Sequence, residues 1–158
     1  MAPAPVVVQE GQELRAAEVA ASKIDGAQAF RGVGDSMEPL YVSGTAIVAV
    51  PCEYAQLRAG MTVVYVNHDG RGVAHVLVNQ MPDGWIAQGV NNAREDADLV
   101  TARNLVGIVT QAYASTDTLA RREAAGRLMN KTSRPQLALN LARAGSAGLA
   151  MAYDTSGH

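Results

Sequence analysis

Residues 61–78, Met-Thr-Val-Val-Tyr-Val-Asn-His-Asp-Gly-Arg-Gly-Val-Ala-His-Val-Leu-Val, form the stretch of this sequence that decides its fold. Two valine-rich runs, residues 63–66 and 73–78, flank a turn-forming sequence that begins His-Asp-Gly at 68–70. Valine and tyrosine favour strands, and Asp-Gly between two apolar runs is a strong signal for a hairpin. We therefore predict that the two runs pair as neighbouring strands.

The same pattern continues on both sides of this hairpin. Further runs rich in Val, Ile and Tyr lie at residues 46–50, 85–88 and 105–113, and glycine-containing turns such as Ser43-Gly44 separate them. The pattern predicts a mainly β fold, with one β domain over residues 27–114.

Helices are expected on either side of the β domain. Residues 12–21 predict a short, weakly amphipathic helix within an N-terminal segment of residues 1–26. Residues 115–158 predict a helical tail with helices over 119–129 and 136–151, the first capped by Thr116 or Asp117. The tail is expected to pack either on the β domain or on a second copy of the chain, as a homo-oligomer.

Composition narrows the class of protein. The chain has 158 residues, of which 48% are hydrophobic and 18% charged, and its formal net charge is -2. This composition is typical of a globular chain of about one domain and argues against global disorder. An acidic balance offers no general attraction for phosphate backbones, so no nucleic-acid partner is expected.

The apolar segments, the single cysteine and the spacing of the histidines indicate the location of the protein and whether it binds a metal or a cofactor. No basic start with a long apolar run is present, and the apolar segments are shorter than a membrane span, so neither a secretory signal nor a transmembrane segment is expected. The single Cys52 suits a reducing compartment, which favours a cytoplasmic location. His68, His75 and His158 lack the spacing of metal ligands, and we expect neither a metal nor a cofactor.

Residues 34–40, Gly-Asp-Ser-Met-Glu-Pro-Leu, are the most informative stretch for function. The stretch predicts a turn of small residues that presents the hydroxyl of Ser36 and is stiffened by Pro39. Taken alone, it is typical of a serine turn between two strands.

Together with four later segments, this stretch resembles a known clan of serine peptidases. Gly-x-Ser-Met-x-Pro is similar to the nucleophile box of the clan that contains the type I signal peptidases and the self-cleaving SOS-type repressors. The later similar segments, in the same order, are residues 60–65, 73–76, 89–93 with the following Asp96, and 105–109. A histidine at position 75, where other branches carry lysine, resembles the archaeal and endoplasmic-reticulum signal peptidases, here without a membrane anchor.

The resemblance implies a fold and an activity. It implies the signal-peptidase or repressor type of β domain, and a soluble serine endopeptidase that acts on a peptide or protein, including its own chain. Ser36 would be the nucleophile, His75 the general base and Asp96 the residue that orients the base. A serine hydroxyl needs a neighbouring base to become a nucleophile, and neutral imidazole serves near pH 7.

The same resemblance implies a shallow apolar substrate pocket. Its lining residues would be Val33, Leu40, Val64 and Val73.

Several positions depart from the pattern of the clan. Thr45, Met61 and Val90 stand where the clan carries Asp. Asp98 and Glu95 lie close enough in sequence to substitute, or they form a solvated acidic loop. The alternative to a peptidase is therefore a non-catalytic regulatory or protein-binding module on the same scaffold.

Overall fold

A computed structural model describes residues 2–129, with side chains through residue 126. Within that range the chain is mainly β, with a seven-stranded, curled sheet, a short helix near the N-terminus and a second helix after the last strand. The strands are β1 (Pro5–Val8), β2 (Gln28–Arg31), β3 (Ala46–Val50), β4 (Thr62–Val66), β5 (Gly72–Met81), β6 (Gly84–Gln88) and β7 (Leu105–Ser115). The helices are α1 (Glu13–Ser22) and α2 (Thr116–Met129). The predicted fold class is confirmed.

The predicted hairpin is present. β4 and β5 are antiparallel, with Val63 opposite His75 and Val66 opposite Gly72. The strand predicted over residues 46–50 is also present, with bounds identical to those of β3. The valine runs and the Asp-Gly turn therefore encode this part of the sheet locally.

Two strands were missing from the prediction. β1 runs parallel to β7, with Val6 opposite Tyr113, and β2 pairs with β3. Both strands have only four residues. A run this short has too little alternation to be distinguished from a loop, and β1 finds its partner in a strand that is distant in sequence, with Val6 opposite Tyr113.

The start of the second helix also differs from the prediction. The cap is Ser115, because its Oγ accepts the amide proton of Thr118 at 3.2 Å. Thr116 and Asp117, the predicted caps, are the first two residues of α2. The helix predicted over residues 136–151, with the interface that it was expected to offer, lies outside the described residues.

The two ends of the sheet meet at one site. The sheet runs β2-β3-β7-β4-β5-β6, so β2 and β6 are its outer members on this path. Curling of the sheet nevertheless brings the residues after β2 against those after β6. The two segments are in direct contact, since the amide of Asn91 donates to the carbonyl oxygen of Ser36 at 2.8 Å. α1 covers the β2–β3 end, where Ala17 and Ala21 are buried in one apolar cluster with strand residues.

Within residues 2–129, no helix has the length and apolarity needed to cross a membrane.

Candidate active site

Ser36 lies on the loop of residues 32–45 that connects β2 to β3. The base of this loop is closed by two backbone hydrogen bonds, from Gly32 to the carbonyl oxygen of Thr45 at 2.8 Å and from Gly44 to that of Gly32 at 2.9 Å. Gly34 has a φ of +96°, a conformation that side chains disfavour, so the turn before Ser36 requires a glycine. The Glu38–Pro39 peptide is cis. The loop presents Ser36 at its tip in a half-buried position.

A second loop, directly after β6, holds the Ser36 loop from the other side. Besides its amide bond to Ser36, Asn91 donates from Nδ2 to the carbonyl oxygen of Asp35 at 3.0 Å. Gly89 makes this approach possible, because a Cβ on it would lie 2.6 Å from the carbonyl oxygen of Ser36. The predicted segment at residues 89–93 thus holds the backbone around Ser36 in place by hydrogen bonds.

His75 reaches Ser36 from β5. Its ring is buried, and its Nε2 lies 2.9 Å from the Oγ of Ser36. The two residues are 39 positions apart in sequence, and the fold alone brings them into contact.

Asp96 completes a chain of three side chains. Its Oδ2 lies 2.6 Å from the Nδ1 of His75, and its backbone amide donates to the carbonyl oxygen of Ala87 in β6 at 2.8 Å. The side chains of His75 and Asp96 are only 10% and 11% exposed, so water screens their contact weakly. All three predicted site residues therefore meet at one point.

The hydrogen-bond chemistry specifies how the imidazole is oriented. An ionised carboxylate only accepts hydrogen bonds, so the Nδ1 of neutral His75 carries the proton that points to Asp96. The lone pair of Nε2 then faces the hydroxyl of Ser36. This is the tautomer that a general base needs in order to take the serine proton.

Tyr65 is a member of the site whose role the sequence analysis missed. Its hydroxyl donates to the same Oδ2 of Asp96 at 2.6 Å. Burial and this hydrogen bond both raise the pKa of Tyr65, so the phenol stays a donor. A signal existed in the hairpin register: Val63 is opposite His75, so residues 63, 65 and 75 share one face of the sheet.

The alternative acidic residues do not reach His75. Asp98 instead bonds to His68, accepting from its backbone amide at 3.0 Å and lying 2.6 Å from its Nδ1. Glu95 is exposed. Of the three positions where the clan carries Asp, Thr45 and Val90 are buried and Met61 packs against an apolar cluster.

A cavity of about 530 Å³ opens beside Ser36 and His75. Three of the four residues predicted for an apolar pocket, Val33, Val64 and Val73, line it. The prediction was wrong for Leu40. This loop residue is 3% exposed and packs in the hydrophobic core. Position along the loop did not reveal which side chains turn inward.

One edge of a strand faces this cavity without a partner strand. Residues 72–76 of β5 pair with β4 on one side, whereas pairing of β5 with β6 begins only at Val76. Within the described part of the chain, the other edge of residues 72–75 is therefore open, and all four of these residues line the cavity.

The remaining chemistry of the described residues is limited. Cys52 is a free thiol whose pKa is raised by burial. Residues 2–129 contain no group of three or more His, Cys, Asp or Glu side chains arranged to hold a metal ion.

Comparison with known proteins gives no relative. No family model, no curated protein and no solved structure matches this chain.

Proposed function

We propose that this chain is a serine endopeptidase of the signal-peptidase-like type, with Ser36 as nucleophile, His75 as general base and Asp96 as the residue that orients the base. The observation that carries the proposal is the continuous hydrogen-bond chain Ser36 Oγ, His75 Nε2, His75 Nδ1, Asp96 Oδ2, with contacts of 2.9 and 2.6 Å. Nucleophile, base and orienting carboxylate at these distances define the arrangement that activates a serine.

The first half of the reaction forms an acyl-enzyme. As the Oγ of Ser36 attacks the scissile carbonyl carbon, its proton passes to the Nε2 of His75. Asp96 stabilises the imidazolium that results, and Tyr65 holds the carboxylate in place. The imidazolium then gives its proton to the leaving amine. In the second half, water attacks the ester while it gives a proton to the Nε2 of His75. The imidazolium returns that proton to the Oγ of Ser36 as the ester bond breaks, and the acid product leaves.

The developing oxyanion needs donors that are not already used. Among residues 2–129 no acceptor is bonded to the backbone amide of Ser36. We assign this amide as the first donor to the oxyanion.

Substrate would bind as an extended strand. The open edge of residues 72–75 offers backbone donors and acceptors inside the cavity, and this segment ends at His75. A peptide that adds to this edge gains main-chain hydrogen bonds that do not depend on its sequence. The scissile bond would then lie where the strand reaches Ser36.

The substrate class is a peptide or protein, and the chain's own termini are candidates for self-processing. The free thiol of Cys52 supports a cytoplasmic location as part of the same proposal. A non-catalytic protein-binding module on this scaffold is the competing function. It draws support from the replacement of Asp at Thr45, Met61 and Val90.

Labelling and cleavage test the proposal directly. A fluorophosphonate probe is incubated with the wild type, and the adduct is located by mass spectrometry. We expect the label on Ser36, and a loss of peptide cleavage of about a thousandfold or more in Ser36→Ala and His75→Gln. Asp96→Asn should keep a larger fraction, because it orients the base without accepting the serine proton. Wild-type activity should fall in acid, because protonated imidazole has no lone pair.

Ser22→Ala is the matched control. Ser22 is an exposed serine on α1, and its hydroxyl donates to the carbonyl oxygen of Val19 in its own helix. This variant should cleave and label as the wild type does. Equal cleavage by wild type and Ser36→Ala, or the absence of any label on Ser36, would favour the non-catalytic module.

A further inference from the structure

We propose that the cavity selects peptides with an acidic side chain about four residues from the scissile bond, recognised by Arg31 and Arg71. This inference rests on the proposed function, because the cavity is the one beside Ser36. It adds the class of substrate: an extended segment that is apolar near the cleavage point and carries a carboxylate farther along.

Arg31 and Arg71 approach the cavity from two different strands. Arg31 is the last residue of β2, and Arg71 immediately precedes β5. Both line the cavity, and both are exposed to solvent. Phe30, the neighbour of Arg31, lies close to Gly72, the neighbour of Arg71. The ring of Phe30 is 4.0 Å from the position that a Cβ on Gly72 would take. The curled sheet thus brings two guanidinium-bearing segments to one cavity.

Neither arginine is neutralised by the part of the chain that the structure describes. Within residues 2–129, neither Arg31 nor Arg71 forms a salt bridge, and no Asp or Glu lines the cavity. The whole chain carries a net charge of -2, so two positive side chains without an ion pair among the described residues make the cavity locally more positive than the chain as a whole. Guanidinium groups bind carboxylates in a bidentate manner, and an acidic side chain is their natural partner on a peptide.

The strand geometry sets where the carboxylate must lie. Arg71 precedes His75 by four residues along the chain that carries the open edge, which corresponds to about 13 Å at the usual rise of an extended strand. A bound peptide strand covers the same length in about four residues. Met37 follows Ser36 in sequence and Val73 lies between Arg71 and His75, and both line the cavity with apolar side chains. Charge recognition is therefore separated from the cleavage point.

Binding to an inactive variant tests this selection without requiring catalysis. The probes are short fluorescent peptide pools with blocked termini, in which one position is fixed as either Glu or Gln and the others are mixed. Binding to Ser36→Ala protein is measured by fluorescence anisotropy at low and high salt. We expect one position at which Glu pools bind about two- to fivefold more tightly than Gln pools, and the wild type should cleave those pools about four residues from that position. The preference should weaken at high salt.

Variants then assign the preference to its residues. Arg31→Gln and Arg71→Gln, each in the Ser36→Ala protein, should reduce the preference for Glu, and the double change should remove it. Arg103→Gln is the matched control, because Arg103 is exposed and does not line the cavity. Equal binding of Glu and Gln pools, no binding of any pool, or a Glu preference that survives both changes would overturn the inference. Glu-selective binding without cleavage by the wild type would refute the peptidase and leave the acidic recognition standing.

Discussion

At the residue scale, the pair of His68 and Asp98 predicts a pH effect that is separate from the active site. The hydrogen bond that the ring of His68 donates to Asp98 raises the pKa of His68, and the hydrogen bond from the backbone amide of His68 lowers the pKa of Asp98. Asp98→Asn should therefore lower the pKa of His68, which an NMR titration of the histidine ring signals would measure. The ring signals of His75 at fixed pH are an internal control, because Asp98 does not reach that ring.

The sign of the linked stability change follows from the direction of the shift. A histidine whose pKa is raised on folding adds stability below its unfolded pKa, and this stability is lost as the pH rises through the folded pKa. His68 is exposed, so the effect on unfolding should be small. An unchanged pKa of His68 in Asp98→Asn would show that the pair does not form in solution.

Removing the hydroxyl of Tyr65 should lower both the stability of the protein and its kcat. Tyr65→Phe removes the donor at 2.6 Å from Asp96 and leaves a buried carboxylate with one fewer hydrogen bond. We expect the free energy of unfolding to fall by about 1–2 kcal/mol, and kcat to fall severalfold with little change in KM. Denaturant titration and steady-state kinetics measure the two effects.

Tyr113→Phe is the control for this change. The hydroxyl of Tyr113 also donates a hydrogen bond, but to Gln111 on β7, away from Asp96. The control should keep the kcat of the wild type. A Tyr65→Phe protein with unchanged kcat would show that the tyrosine supports the fold without positioning Asp96.

At the scale of elements, the contact between the two loops depends on Gly89. A Cβ at this position would also lie 2.7 Å from the Nδ2 of Asn92, in addition to its clash with the Ser36 carbonyl. Gly89→Ala should therefore push the loops apart, with a loss of about 1–3 kcal/mol of stability and most of the activity. Thermal unfolding and cleavage assays measure both.

Gly126→Ala separates this effect from a general intolerance of alanine. Gly126 lies inside α2, and its new Cβ would meet Pro39 at an ordinary 3.5 Å. Because alanine favours helices, this control should raise stability by about 0.5–1 kcal/mol. If Gly89→Ala were as stable and active as the wild type, the loops would not depend on their close approach.

At the scale of the whole molecule, α2 connects the end of the sheet to the Ser36 loop. The Nε of Arg122 donates to the carbonyl oxygen of Pro39 at 3.1 Å, and Ser115 and Thr118 are buried where the helix leaves β7. Truncation after Ser115 should leave a folded sheet with a lower melting temperature and lower activity, because the loop loses this support. Circular dichroism and cleavage assays check both expectations.

Truncation after Met129 is the matched comparison. Both truncations remove residues 130–158, but this one keeps α2. The difference between them in melting temperature and activity therefore measures the contribution of the helix. Complete unfolding of the shorter protein would show that the β domain does not stand without α2.

The sequence alone determined the parts of this protein that depend on neighbours along the chain. The valine runs and Asp-Gly turn specified the β4–β5 hairpin, and residues 46–50 specified a strand with its correct bounds. The small residues of the serine turn identified Ser36 as a presented hydroxyl. Turn propensity and strand alternation act over a few residues, so a local pattern carries this information.

Only the tertiary structure decided which of these parts meet. His75 is 39 residues from Ser36 and 21 from Asp96, and no local pattern states their distances. Three further contacts also join residues that are distant in sequence. They are the pairing of β1 with β7, the hydrogen bond of Tyr65 to Asp96, and the approach of Arg31 and Arg71 to one cavity. Each depends on the curl of the sheet, which is the sum of many packing contacts and is not encoded by any single segment.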